Sequence, residues 1–191
     1  LYTPKSYGSI LMQLQQDIVN QTDALTKLSY LLTYGDQEKL IEFPIDDVAR
    51  EVLRVLDTTK SENLAELSSK CVFGLLEAHT RSTAALINNN ALKILAKQLI
   101  NLKWYETAEF CIQALHIISK YRAIDISLQI GLDPLLKMID HFQITIQRCA
   151  LTACENITAT EINQGMTNHI PKLLEFSKSK DPRLQKSAIK T

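Results

Sequence analysis

Apolar residues recur at helical spacing along most of the chain. Between residues 144 and 158, Ala150, Ala153, Cys154 and Ile157 fall three and four residues apart, which places them on one stripe of a helix. The same spacing predicts further helices over residues 9–20, 22–35, 46–56, 64–79, 82–87, 91–102, 107–120, 123–129, 135–141, 172–177 and 182–191. The pattern therefore predicts an all-α fold, preceded at residues 1–8 by a tail or cut linker.

Proline and glycine mark several of the predicted helix ends. Asp133-Pro134 and Asp181-Pro182 place proline in a first helical turn, where its fixed φ and missing N–H are tolerated. Gly131 stands just beyond the predicted helix 123–129, at a position that often needs a positive φ. We therefore expect helices to begin at both Asp-Pro pairs and a short helix to end before Gly131.

The helices themselves repeat. When the chain is aligned with itself, Cys71, Cys111, Cys149 and Ser187 fall into register, 40, 38 and 38 residues apart. A period near 40 with a small residue at a fixed core position is typical of a helical solenoid of armadillo or HEAT type. Each predicted unit contains a short, a medium and a long helix. Three helices per unit are typical of armadillo repeats, whereas HEAT repeats have two. The predicted fold is an all-α, armadillo-type right-handed α-α superhelix of about four repeats plus a truncated one.

This period divides the chain into predicted repeats. The predicted divisions are a tail or linker at 1–8, a partial repeat at 9–43, repeats at 44–90, 91–131 and 132–168, and a truncated repeat at 169–191. Terminal repeats of a solenoid usually carry a polar cap, whereas the last predicted unit is cut through its last helix and has no polar capping helix over it. We therefore expect the chain to be a piece of a longer protein.

Composition narrows the function classes without selecting one. Lys plus Arg and Asp plus Glu both number 21, so the formal net charge is zero, whereas nucleic-acid binders usually carry a basic excess. No apolar run reaches the roughly 18 residues that can span a bilayer. The four cysteines form no Cys-x-x-Cys pair and lie in apolar stripes, as reduced core residues do. We expect no nucleic-acid or membrane partner, and an intracellular location in the cytoplasm, the nucleus or both.

No arrangement of residues in the sequence indicates catalysis or a cofactor. The four histidines, at 79, 116, 141 and 169, have no second ligand at metal-binding spacing. The five-residue spacing of Cys149 and Cys154 puts the two thiols on different faces of a helix, which disfavours a metal site or a disulfide. Phosphate-binding glycine loops and nucleophile elbows are also absent from the sequence. The sequence predicts no catalytic residues, no metal and no cofactor.

A basic cluster near the C-terminus leaves two interpretations open. It comprises Lys172, Lys178, Lys180, Arg183, Lys186 and Lys190. Such a cluster can bind an acidic partner, or it can be a solvated face of a truncated repeat whose charge is offset by acidic residues elsewhere in the parent protein.

One segment resembles a known repeat consensus. Residues 150–157, Ala-Leu-Thr-Ala-Cys-Glu-Asn-Ile, resemble the third helix of armadillo repeats, with Asn156 at the position of the groove asparagine. In nuclear-import adaptors and catenin-type proteins that asparagine recurs in every repeat, one turn after a tryptophan, and clamps extended peptides. When the repeats are aligned on Cys71, Cys111 and Cys149, the positions equivalent to Asn156 in the two preceding repeats hold Ile118 and Ala78. The positions equivalent to the tryptophan hold Thr152, Ala114 and Gly74. Because this ladder is absent, the resemblance does not favour an import adaptor.

A second resemblance covers residues 10 to 160. It is carried by Gly35-Asp36-x-Glu38-x-Leu40 before Phe43-Pro44, by Glu77-Ala78-x-x-Arg81-Ser82, and by Gln147-Arg148-x-Ala150-Leu151. In this order the stretches resemble the N-terminal armadillo region of HECT-type E3 ubiquitin ligases of the ubiquitin-fusion-degradation and thyroid-receptor-interactor class. The resemblance implies a parent that transfers ubiquitin from a cysteine of a C-terminal HECT domain. It also implies an armadillo region that holds the substrate, or ubiquitin attached to it, near that domain.

The resemblance also suggests where partners bind. The expected surface is the concave row of third helices, and the fragment is expected to be monomeric, with protein substrates, ubiquitin or both as partners. The candidate residues are Lys70, Glu77, Arg81, Glu109, His116, Arg148, Thr152, Glu155 and Asn156. A generic armadillo scaffold outside ubiquitination, in transport or cytoskeletal assembly, is the alternative.

Overall fold

The computed structural model describes residues 4–35, 43–79, 81–100, 104–137, 139–160 and 168–191, with side chains from Tyr7 onward. Its helices are α1 (Pro4–Leu14), α2 (Ile18–Tyr34), α3 (Ile45–Thr58), α4 (Glu62–Ala78), α5 (Ser82–Asn88), α6 (Ala91–Leu99), α7 (Tyr105–Gln129), α8 (Asp133–Leu136), α9 (Ile144–Thr158), α10 (Ile170–Phe176) and α11 (Pro182–Lys190). The chain forms two compact units, residues 1–94 and 95–191. The described part is helical without strands, which confirms the predicted all-α class.

In the first unit, α4 packs against α2, and α3 packs against α4 and α5. The contact between α4 and α2 is close, because a Cβ added at Gly74 would come within 3.2 Å of the Leu32 Cβ. The thiol of Cys71 is fully buried and donates a hydrogen bond to the backbone oxygen of Leu25 at 3.4 Å. Burial raises the pKa of Cys71 to about 12, so the thiol stays neutral as a donor. Small side chains on α4 thus allow the two helices to approach.

In the second unit, α9 packs against α7 on one side and against α11 on the other. Its contact residues Ala150, Ala153 and Cys154 have no solvent exposure. Because α9 has packed neighbours on both sides, only small residues fit there at close-packed density. The order α7, α9, α11 is the stack of long third helices that the repeat pattern predicts.

Helix α7 contains a kink at Arg122, whose φ of −138° and ψ of 42° are not helical. The kink divides α7 into a long helix before Arg122 and a short one after it, as the predicted helices 107–120 and 123–129 require. Beyond the short helix, Gly131 has a φ of +64°, the left-handed conformation that glycine commonly adopts just past a helix end. Arg122 pairs with Asp125, one turn into the short helix, at 2.6 Å.

The predicted beginning of the chain is wrong in two respects. Helix α1 begins at Pro4, so residues 4–8 are helical and not a tail, and Tyr7 packs edge-on against Phe43 with ring centroids 5.1 Å apart. The predicted helix 9–20 is interrupted, because Asp17 caps α2 by accepting a hydrogen bond from the backbone N–H of Asn20. With this cap α2 starts at Ile18, four residues before the predicted start at Thr22.

The structure also corrects the register between repeats. The residues that precede the long helices α4, α7, α9 and α11 are Ser61, Trp104, Gln143 and Asp181, spaced 43, 39 and 38 residues apart. Cys71 and Cys111 therefore stand at different positions along their helices, and Cys149 is only half-buried whereas the other two are buried. By this register the positions equivalent to Asn156 hold Ile117 and Gly74, so the asparagine ladder is still absent.

Within the described ranges, no helix combines the length and the hydropathy needed to cross a membrane. Asp36, Glu38 and Leu40, which carry part of the family resemblance, lie outside the described residues.

Two buried hydroxyls on α7 give a test of this packing. The side-chain oxygen of Thr107 has no hydrogen-bond partner among the described residues, whereas the Ser119 hydroxyl donates to the His116 backbone oxygen at 2.7 Å and accepts from the Asn156 amide at 2.9 Å. Replacing an unpaired buried hydroxyl with a methyl removes a desolvation cost. We expect Thr107→Val to raise the free energy of unfolding by about 1 kcal/mol, and Ser119→Ala to lower it by about 1 kcal/mol.

Urea denaturation followed by circular dichroism measures both values. A Thr107→Val protein that is less stable than the wild type would contradict the described environment of this hydroxyl.

Candidate protein-interaction surface

In the first unit, the candidate residues lie at two places. Lys70 and Glu77 are exposed on α4, and neither side chain has a hydrogen bond or ion pair to the described residues. Arg81 lies beyond the end of α4 and lines a cavity of about 150 Å³ at the start of α3. That cavity is also lined by Phe43, Pro44, Ile45, Asp46 and Asp47. Lys70 and Glu77 therefore share one helix face, and Arg81 belongs to a different local environment.

On α7, Glu109 and His116 are both half-buried. The Tyr105 hydroxyl donates a hydrogen bond to the Glu109 carboxylate. Burial is the main cause that raises the pKa of Tyr105, and this hydrogen bond is the second. Burial, with a smaller contribution from the charge of Lys120, lowers the pKa of His116. His116 is therefore a neutral imidazole at neutral pH, able to donate one hydrogen bond and accept another.

Arg148 joins α9 to α11. Its guanidinium donates two hydrogen bonds to the Asp181 carboxylate, with Nε 3.2 Å from Oδ1 and Nη2 close to Oδ2. The same carboxylate caps α11 by accepting from the backbone N–H groups of Arg183 and Leu184 at 3.1 and 3.0 Å. These bonds, above all that from Arg148, lower the pKa of Asp181 from 3.8 to about 2. One carboxylate thus both starts α11 and ties it to α9.

Glu155 makes a second link between the same two helices. Its carboxylate accepts hydrogen bonds from the Ser187 hydroxyl at 2.9 Å and from the Lys190 ammonium at 2.7 Å. The pKa of Glu155 is lowered mainly by the hydrogen bond from Lys190. The hydrogen bond from Ser187 and the charge of Lys186 lower it further. Glu155 therefore stays ionised, and most of its hydrogen-bonding capacity is used within the chain.

Asn156 faces α7. Its side-chain amide donates to the Ser119 hydroxyl at 2.9 Å, and both residues line a cavity of about 300 Å³ at the α7 kink. Tyr121 and Ile124 also line this cavity, and both side chains are exposed. Thr152 is half-exposed one turn before Asn156. The groove asparagine of the armadillo consensus is thus used here as a link between neighbouring helices.

The structure therefore separates the candidates by their role within the chain. Lys70, Glu77 and Thr152 present side chains without internal partners among the described residues, whereas Arg148, Glu155 and Asn156 hold third helices together. The sequence pattern alone does not reveal the partners of these three residues, which are Ser119, Asp181 and Ser187. Of these, only Asp181 had a local signal, the Asp-Pro pair that opens a helix.

Comparison with known proteins places this architecture among ubiquitin ligases. A family model described as "E3 ubiquitin-protein ligase TRIP12-like, TPR repeats" matches residues 4–127. E3 ubiquitin-protein ligase TRIP12 of Danio rerio is 26% identical over 156 residues, which is 80% of this chain and 8% of the relative. E3 ubiquitin-protein ligase UPL3 of Arabidopsis thaliana is 26% identical over 137 residues, which is 72% of this chain and 7% of the relative. The chain therefore spans less than a tenth of these relatives.

Two solved structures with a similar fold are designed armadillo repeat proteins. One is a computationally designed armadillo repeat protein for modular peptide recognition, with a TM-score of 0.78 and 21% identity; the match covers 95% of this chain and 78% of the designed protein. The other is a designed armadillo repeat protein in complex with the peptide (KR)4, with a TM-score of 0.77 and 18% identity; the match covers 97% of this chain and 80% of that protein. These likenesses confirm the armadillo-type fold, although the family description speaks of TPR repeats.

The link between Arg148 and Asp181 predicts a dependence of stability on pH. Because the pKa of Asp181 is lower in the folded protein than its ordinary 3.8, its contribution is complete above pH 3.8 and is lost as pH falls toward 2. We expect Arg148→Gln to be less stable at neutral pH and to lose less additional stability between pH 4 and pH 2. Thermal unfolding across this pH range measures the difference.

Arg50→Gln is the matched control, because Arg50 forms an exposed pair with Asp47 at 2.6 Å within one helix, and such pairs contribute little. Arg50 also lies 3.7 Å from the Glu51 carboxylate, which keeps Arg54 at 2.9 Å in the variant. Parallel stability curves for the wild type and Arg148→Gln would show that the link does not stabilise α11.

Proposed function

This chain belongs to the TRIP12-like family of E3 ubiquitin-protein ligases, and on that premise we propose that it is the family's non-catalytic interaction module. It holds a substrate, or ubiquitin already attached to a substrate, for transfer by a HECT domain that lies elsewhere in the parent protein. The match of the family model over residues 4–127 carries this proposal.

Two features of the described residues support a binding role. The long helices expose polar side chains that have no internal partner, among them Lys70, Glu77 and Thr152. Two designed armadillo proteins of similar fold are described as made for peptide recognition and as bound to a peptide, and this supports a polypeptide as the partner. Within each unit, the packed helices hold these side chains in place before binding, so less conformational entropy is lost when the partner docks.

The mechanism is positioning. A module that holds a target on the same polypeptide as the catalytic domain turns an encounter between molecules into one within a complex, and the effective concentration of the target rises. The module needs no reactive group for this effect.

The proposed contact residues fall into two sets, one in each unit. In the first unit they are Lys70 and Glu77, with Arg81 at the end of α4. In the second unit they are Glu109, His116, Arg148, Thr152, Glu155 and Asn156. Because Arg148, Glu155 and Asn156 also hold neighbouring helices together, variants at these three positions would change both packing and binding. Residues without internal partners give cleaner tests.

The test is an NMR titration of the labelled protein with mono-ubiquitin and with a short ubiquitin chain. We expect saturable binding that is weakened several-fold by Glu77→Lys and by Thr152→Arg, because each change places a bulky or reversed charge on an exposed third-helix face. Lys93→Glu is the control, since Lys93 is exposed on α6 outside the proposed sets. Absence of binding by a folded protein would contradict ubiquitin recognition by this module and would favour a scaffold role for other partners.

A further inference from the structure

Helix α11 repeats part of the residue pattern of α9 at a spacing of 38 residues, which is the distance between the residues that precede the two helices. At this spacing Lys186 takes the position of Arg148, and Ile189 takes the position of Leu151. The two positions are three residues apart, so they share one face of each helix. We refer to Lys186 and Ile189 as the outer face of α11.

In α9 the corresponding face is turned toward the next long helix. The Arg148 guanidinium donates to the Asp181 carboxylate, which caps α11, and Glu155, seven residues further on, accepts from two side chains of α11. Leu151 lies between these two linking residues on the same face and has no solvent exposure. This face of α9 therefore combines a buried apolar side chain with a cation that pairs with the cap of the following helix.

On α11 the matching side chains lack such contacts in the part of the chain that the structure describes. Ile189 is 69% exposed, although its counterpart Leu151 is fully buried. The charge of Lys186 lowers the pKa of Glu155, but Lys186 is exposed and the Glu155 carboxylate pairs with Lys190 instead. The outer face of α11 thus has the composition of a helix-packing face without a helix that covers it.

The partner that fits this face is another repeat of the same polypeptide. The matches to the two ubiquitin-ligase relatives cover only 7% and 8% of those proteins, which are therefore far longer than this chain. A solenoid buries its apolar faces by stacking each repeat on the next, and the outer face of α11 continues the stack of α7, α9 and α11. A following long helix that begins with a carboxylate supplies both an apolar cover for Ile189 and a counter-charge for Lys186.

We propose that in the parent protein the outer face of α11 packs against the long helix of a further armadillo repeat, whose first turn presents a carboxylate to Lys186. Helix α11 is then an internal third helix of a longer interaction module. The inference goes beyond the proposed function, because it does not depend on what the module binds. For Lys186 it selects the interpretation in which acidic residues elsewhere in the parent protein offset the charge of the C-terminal basic cluster.

The test is hydrogen–deuterium exchange, followed by mass spectrometry, of this chain and of the full-length parent protein. We expect the backbone amides of α11 to exchange at least roughly tenfold more slowly in the parent, because a neighbouring repeat suppresses local opening of a terminal helix. The amides of α7 are the internal reference, since α7 already packs against α9, and they are expected to change much less.

Two matched variants assign the protection to the outer face. Ile189→Asp places a charge in the last turn of α11, and Leu128→Asp places one in the last turn of α7, where Leu128 is 71% exposed. In this chain alone both changes fall on exposed side chains, so we expect similarly small shifts of the urea midpoint. In the parent, only Ile189→Asp is expected to abolish the added protection of α11, because it buries a charge against the next helix.

The ion pair is tested at Lys186 in the parent protein. Lys186→Gln is expected to lose part of the added protection of α11, since it removes the charge that faces the proposed carboxylate. Lys186→Arg is expected to keep the protection, because it copies the residue at the matching position of α9, Arg148.

Three results would overturn the inference. The first is equal exchange of α11 in this chain and in the parent, and the second is an equal effect of Ile189→Asp and Leu128→Asp on α11 in the parent. The third is a dimeric parent in which Ile189→Asp removes the protection of α11 and also dissociates the dimer, since a second copy would then cover the face. The ubiquitin titration uses Glu77 and Thr152, so its outcome tests the proposed function separately.

Discussion

The close packing of successive long helices is the constraint on which the rest of the structure depends. In the first unit, α4 lies so close to α2 that Gly74 has no room for a larger side chain without displacing Leu32. In the second unit, α9 lies between α7 and α11 and presents Ala150, Ala153 and Cys154, all without solvent exposure. Dispersion contacts of this density are collectively large although each is small. They fix the separation of the helices, and with it the position of every side chain on the outer faces.

Polar links form where this packing brings helix edges together. Asn156 bonds to Ser119 across α7 and α9, while Arg148 and Glu155 bond to residues of α11. In a solenoid each repeat is stabilised mainly by its immediate neighbours, so such links couple one repeat to the next. Side chains that form these internal hydrogen bonds are less available to a binding partner. The surface available for recognition is therefore smaller than the polar faces of the helices suggest, and it consists of the polar side chains that have no internal partner.

This division between linking and exposed residues connects the fold to the proposed interaction role. A repeat region of a ubiquitin ligase needs a stable face with fixed charges, because affinity gained from preorganised contacts is not spent on ordering the protein. The carboxylates of Asp181 and Glu155 supply such fixed contacts within the second unit, where they hold α11 in place against α9.

The sequence by itself determined the helical class, the period near 40 and most helix bounds, because apolar spacing, Asp-Pro pairs and Gly131 act through local backbone geometry. Helix α9, for example, spans the predicted residues 144–158. The register between repeats was decided by the tertiary structure. Cys149 is half-buried, whereas Cys71 and Cys111 are buried. Which face of a helix is buried depends on the neighbouring helices that the face contacts. The pairing of Arg148 with Asp181, 33 residues away, likewise depends on how two helices are stacked. No local signal encodes that distance, because a side chain's partner is set by packing along its whole helix.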